Sequence, residues 1–190
     1  MDQNKAFEHG QEFLFLGKRL QLEIAEHSPR NFKSTELSFD GNRWKAAIPL
    51  ALSHEEREKQ LKERFLIWYR MQAKEILGSR VFHYGQLMDV WPKEITIKTH
   101  KSLWGSCNFR KQKIRLNWQI VMSPLEVIDY VIVHELCHLT VPNHSRSFWN
   151  SVEKILPNYK NQRSWLRMNQ KEMMLPFQSL KVPNLRLQKD

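Results

Sequence analysis

The sequence predicts an α+β fold, with small antiparallel sheets packed on a buried helix and additional helices toward the C-terminus. Three observations carry that expectation. Short runs near 20–24, 44–48, 94–98 and 113–118 alternate apolar and polar residues, the period of a half-buried strand. Residues 61–77 repeat apolar side chains at helical spacing instead. Residues 127–139 are apolar nearly all round, as in a helix buried at the centre of a molecule.

Taken in order, Leu20, Leu22 and Ile24 alternate, as do Trp44, Ala46 and Ile48, with Asp40-Gly41-Asn42 between them. Together these read as an antiparallel meander that turns at Asp40-Gly41. Ser53 and Glu56 have the spacing of a capping box, and Leu61, Phe65, Trp68, Tyr69, Ala73, Ile76 and Leu77 continue a helix expected to stop at Gly78. Residues 94–98 and 113–118 read as two strands of one small sheet. Ser123 and Glu126 repeat the capping-box spacing, with Pro124 at the first helical position, where its missing N–H costs nothing. Pro142-Asn143 breaks the helix that follows, and two more helices are expected near 145–156 and 161–174. A single domain over 1–190 is expected, with 1–11 and 176–190 loosely ordered.

Composition narrows the class. With 41% hydrophobic residues and seven Trp, the 190-residue chain is no disordered segment. Two Cys exclude a disulfide framework and favour a reducing compartment. No apolar run approaches the roughly 18 residues of a membrane span, and Met1 to Lys5 lack the basic start of a signal peptide. A cytoplasmic protein without a membrane partner is the expectation. The net charge of +10 is unevenly placed: residues 91–120 hold 7 basic and 1 acidic side chains and 141–190 hold 9 and 3, whereas 121–140 hold none and 3.

That acidic, apolar block carries the chemistry. His134-Glu135-Leu136-Cys137-His138 is an HExxH arrangement, and positions i and i+4 of a helix share one face, so both imidazoles reach one Zn²⁺. Glu135 projects beside the ion, where its carboxylate takes a proton from activated water. His144 follows the Pro142-Asn143 break, where the chain can turn back and supply a third ligand, leaving one position open for catalysis. Glu153 is the competing third ligand and otherwise an outer carboxylate or a solvated helix residue. The spacing of the three His matches the metzincin pattern, except that Val141 stands where that pattern has Gly.

The chain resembles the YgjP-like metallopeptidase-domain family, relatives of SprT-like and WLM peptidases. The likeness rests on Trp104-Gly105-Ser106-Cys107, Leu116-Asn117-Trp118, Pro124 through Leu139, Pro142-Asn143-His144-Ser145, Phe148-Trp149 and Pro157-Asn158-Tyr159-Lys160, with Trp68 to Ala73 upstream. It covers roughly 16–172, with 102–160 as the metallopeptidase-like core. The resemblance implies a zincin-like fold, His134, His138 and His144 as ligands, and Glu135 as the catalytic acid and base. Leu103 departs from it, because the family usually has Arg before Trp-Gly-Ser-Cys.

Other residues have two readings. Trp104 and Gly105 belong either to a turn that lets the backbone approach the active helix or to a strand that pairs with an extended substrate. Tyr159 is either an oxyanion donor or a core aromatic; Phe148, Trp149 and Trp165 read as core. Cys107 reads as neither ligand nor nucleophile, and Cys137 as a small core residue. Asp129, five residues before His134, reads as a capping or surface residue. The expected function is zinc-dependent hydrolysis of amide bonds in a polypeptide, with one Zn²⁺ per chain and other divalent metals left open. The alternative is a basic protein associated with nucleic acid through its flanks, such as a SprT-like protease acting on DNA-bound proteins.

Overall fold

Each sheet is built around one parallel pair. In the computed structural model, which describes residues 7–27, 34–100, 102–174, 177 and 185–187, the first sheet has strand order β1-β2-β4-β3. Its strands are β1 (Glu12–Phe15), β2 (Lys18–His27), β3 (Glu36–Phe39) and β4 (Trp44–Pro49). The hairpins β1–β2 and β3–β4 are antiparallel, but β2 and β4 run parallel, with Leu22 beside Trp44 and Ile24 beside Ala46. The expected meander is therefore corrected to two hairpins joined side by side. The chain reverses once to form β3, so β4 returns in the direction of β2 and pairs with its free edge. The turn at Asp40 stands as expected: its carboxylate accepts from the Asn42 and Arg43 N–H groups.

The second sheet repeats the scheme in the order β6-β7-β5-β8. Here β5 (Glu94–Lys98) runs parallel to β7 (Lys113–Asn117), while β6 (Gly105–Asn108) and β8 (Leu185–Leu187) pair antiparallel at the two edges. Residues 94–98 and 113–117 thus share a sheet, in an α+β molecule whose sheets are mixed rather than purely antiparallel. The ends read as loose contribute more than expected. Phe7 and Phe177 are buried, and 185–187 form a strand; the remainder of 1–6 and of 176–190 lies outside the described residues.

The long helix α1 (His54–Met88) spans both sheets. Its capping box is formed, with the Glu56 N–H donating to Ser53 Oγ at 3.3 Å and the Ser53 N–H to the Glu56 carboxylate at 2.9 Å. Gly78 does not stop it. A helical glycine costs about 1 kcal/mol, and burial of Val81 and Tyr84 beyond it outweighs that; the helix ends at Asp89, in the left-handed conformation. Phe65 and Tyr69 on its inner face meet Trp44, Phe13 and Trp118 in an aromatic core, and the Tyr69 hydroxyl donates to the Leu14 carbonyl at 2.7 Å.

That core holds the central helix. The β1–β2 turn donates the Leu16 and Gly17 N–H groups to Val121 and Met122 carbonyls in the 3₁₀ segment Trp118–Met122. A side chain on Gly17 would meet Pro124 at 2.7 Å, so only glycine fits this approach, in a left-handed conformation it tolerates. Next comes α2 (Leu125–Cys137), nearly all buried, then α3 (Arg146–Ile155) and α4 (Tyr159–Met174). The second capping box is corrected: Ser123, fully buried, donates to the Ile120 carbonyl at 2.7 Å and closes the preceding turn instead. Asp129 is corrected too. It is buried and takes a two-pronged hydrogen bond from Arg80 of α1, at 2.6 and 2.8 Å, so it ties α1 to α2 rather than capping or facing solvent.

Removing one partner of such a pair strands the other charge. Asp129→Ala is expected to cost about 2–3 kcal/mol, read from urea unfolding, and adding Arg80→Met should restore part of the loss.

Candidate metal centre

The three histidines reach one point because α2 ends between them and the chain folds back. His134 lies within α2 and His138 caps its end. The Val141 N–H then donates to the Cys137 carbonyl at 2.9 Å, and Pro142-Asn143 carry the chain to His144, just before α3. The Nε2 atom of His144 lies 3.1 Å from Nε2 of His134 and 3.1 Å from Nε2 of His138. His138 Nδ1 lies 3.0 Å from the Val141 carbonyl. A carbonyl only accepts, so the proton sits on Nδ1 and Nε2 presents a lone pair to its neighbours.

Imidazole nitrogens gathered this closely must share either a proton or a cation. Tetrahedral coordination at 2.0–2.1 Å needs ligand nitrogens about 3.3 Å apart, close to the separations found. Among the described residues this triad is the one set of His, Cys, Asp or Glu side chains placed to share an ion, and its ligand atoms lie within 4.8 Å of one another. The residues therefore fit a divalent metal with nitrogen ligands.

The setting keeps His134 and His138 neutral. Phe148, fully buried, lies 4.9 Å from the His134 ring, 4.4 Å from His138 and 4.9 Å from His144, between centroids. Burial, then the charges of His138, His144 and Arg163, pushes His134 down to about 3, and burial lowers His138 as well. Phe148 was legible only as core, although its position four residues after His144 places it on the histidine's side of the chain.

Glu135 sits behind the triad, 5% exposed, with Oε2 lacking a hydrogen-bond partner. Burial raises its pKa to about 8. Against it lies Gly105, where an added Cβ would stand 2.5 Å from Glu135 Oε1 and 2.7 Å from its Cγ. The backbone of β6 passes where a side chain would be, which supports the close-approach reading of Gly105. Trp104 is buried beside it, and its carbonyl accepts from the Asn117 N–H at 2.8 Å. Asn117, fully buried, also donates to the His100 and Leu103 carbonyls and so ties down the loop into β6. A polar residue between Leu116 and Trp118 was its sequence signal.

The remaining residues divide. Tyr159 is buried, stacked on Trp149 at 5.3 Å and on Tyr130 at 6.4 Å, and Trp149 stacks on His144 at 5.6 Å. Tyr159 therefore stands one ring removed from the histidines. Glu153 is exposed on α3, outside the triad. Cys137 is buried, and Cys107 is half-buried on β6 with its thiol held up at about 11 by burial.

The YgjP-like family, described as "YgjP-like, metallopeptidase domain", matches residues 1–169. The chain belongs to that family. This YgjP-like chain is a hydrolase of the metallopeptidase class, and its substrates are accordingly polypeptides. Among solved structures, the metallopeptidase zymogen abylysin of Pyrococcus abyssi is 25% identical, over 50% of this chain and 93% of its own, with a TM-score of 0.45. The metallopeptidase zymogen jannalysin of Methanocaldococcus jannaschii is 26% identical, over 53% and 96%, with a TM-score of 0.41. No curated protein matches the chain. No helix among the described residues is long and apolar enough to cross a membrane.

Gly105→Ala should leave the fold intact yet lower peptidase turnover by about 100-fold, the scale of a 1 Å displacement at a reacting group; a turnover assay beside a circular dichroism spectrum checks this. The metal-free protein also has a defined pH response. Native Glu135 keeps its proton to about 8 against an ordinary 4.5, so stability falls as pH rises through that window. His134, lowered to about 3 from 6.5, opposes this only below 6.5. Denaturant midpoints should therefore drop between pH 6.5 and 8 in the wild type and stay level in Glu135→Gln.

Proposed function

We propose that this chain is a zinc-dependent peptidase in which His134, His138 and His144 hold the ion and Glu135 moves the proton. The observation that carries the reading is the convergence of three imidazoles, with His144 Nε2 3.1 Å from Nε2 of both His134 and His138, beside a buried carboxyl group. All-nitrogen ligation by histidine suits zinc better than the hard cations, which take oxygen.

When bound, zinc supplies Lewis acidity, polarising a scissile carbonyl and lowering the pKa of water toward about 7. The residues of the chain do the rest. His138 is held in one tautomer by the Val141 carbonyl, and all three rings are braced against Phe148. Burial alone keeps the proton on Glu135 to about 8; a cation held by the triad would favour its carboxylate, which would then accept a proton from the attacking water and return it to the leaving amine.

The substrate's path follows from the sheet. β6 is an edge strand of the second sheet, and Gly105 at its start touches Glu135. An extended peptide that adds to this edge gains main-chain hydrogen bonds and brings its carbonyl to the triad. The nucleic-acid reading comes second, because the cations on that sheet are partly neutralised: Lys113 and Arg186 both pair with Glu94.

Metal analysis with a generic peptidase assay tests the assignment. Glu135→Gln should retain about one zinc per chain and lose turnover at least 1,000-fold, on the order of removing an essential proton carrier. His138→Ala should lose the zinc. Full turnover by the first variant, or stoichiometric zinc in the second, would sink the proposal.

A further inference from the structure

We propose that Arg163 selects the substrate, receiving a carboxylate of the bound polypeptide beside the three histidines. The inference rests on the peptidase reading and names the substrate chemistry for the same site.

The geometry begins with Trp149. Its ring stacks on His144, with centroids 5.6 Å apart and planes 22° apart, and on Tyr159 at 5.3 Å and 14°. Arg163, one turn after Tyr159 on α4, places its guanidinium carbon 4.8 Å from the centre of the same Trp149 ring. The cation is thus held a single aromatic ring away from a proposed ligand. An arginine seated on an aromatic face keeps its N–H edge free, and that planar fork matches a carboxylate with two parallel hydrogen bonds.

Charge around it is unbalanced. Residues 141–167 carry five cations, Arg146, Lys154, Lys160, Arg163 and Arg167, against the one acid Glu153. None of the five forms an ion pair among the described residues, whereas Arg43, Arg57 and Arg80 elsewhere are each paired with a carboxylate. A fixed cation beside a divalent-metal site opposes filling of that site. An anionic group on the substrate offsets the repulsion, and it does so only when substrate is present. That converts the residue from a liability into a filter: acidic peptides satisfy Arg163, and neutral or basic ones leave the repulsion in place.

The carboxylate has two sources, an Asp or Glu side chain or the C-terminus of the peptide, and binding can tell them apart. Zinc-loaded Glu135→Gln protein is titrated calorimetrically with six-residue alanine-based peptides bearing one Glu or one Gln, each with a free or an amidated C-terminus. The charged member of a pair should bind about tenfold more tightly, the scale of one charge-assisted contact. A Glu-over-Gln preference in amidated peptides assigns the side chain; a free-over-amidated preference in Gln peptides assigns the terminus. Adding Arg163→Gln should bring the preferred ratio to about one, and Arg163→Glu should invert it; Arg163 is exposed, so both variants keep the fold. Equal binding of all four peptides, no binding of any, or a preference unchanged by Arg163→Gln overturns the proposal. Cleavage by the zinc-loaded wild type is scored separately. Charge-selective binding without cleavage would count against the peptidase reading and leave the role of Arg163 standing.

Discussion

Three imidazoles gathered around one buried phenyl ring, with His144 Nε2 3.1 Å from each of the other two Nε2 atoms, impose a demand that the surrounding structure answers. Burial keeps His134 and His138 uncharged, and a buried carboxyl group stands behind them with one oxygen unpartnered. Left without a cation, such a cluster costs free energy on every count. The proposed zinc site resolves the conflict with one ion. A ligand set serves an ion best when packing fixes its side chains beforehand, and the neighbouring elements supply that packing.

The locking comes from far along the chain. α2 is held at its start by the β1–β2 turn, where Gly17 packs on Pro124, and along its length by the Arg80–Asp129 pair from α1. Phe148 and Trp149, consecutive on α3, take opposite tasks, one beneath all three rings and the other stacked on His144. On the far side, Asn117 holds the loop that delivers Gly105 to Glu135. Two sheets and a 35-residue helix thus converge on a site supplied by the two ends of one short turn.

Much of this was legible in residue spacing. The His134–His138 interval needs only helical geometry, the Ser53–Glu56 box is a local hydrogen-bond pattern, and both formed as read. Gly78 misled because a glycine's local cost is small beside the burial of Val81 and Tyr84 beyond it. Ser123 misled because the helix is capped at Pro124, so its hydroxyl oxygen takes no helix N–H and its proton goes to the Ile120 carbonyl of the preceding turn. Asp129 read as a surface residue because its partner lies 49 positions away, and no local pattern reports a contact at that distance. Strand direction was hidden for the same reason: alternation shows which face is buried but not which neighbour a strand pairs with.

The sequence by itself determined the α+β class, the buried helix and the pairing of His134 with His138, because each follows from short-range periodicity and chain stereochemistry. Tertiary structure alone decided that His144 rather than Glu153 stands within reach of them, that Gly105 touches Glu135, and that Arg163 lies over Trp149. Those contacts are set by how α3, α4 and β6 pack around α2. Packing depends on the shapes of residues distant in sequence, and the spacing of letters along a chain does not encode it.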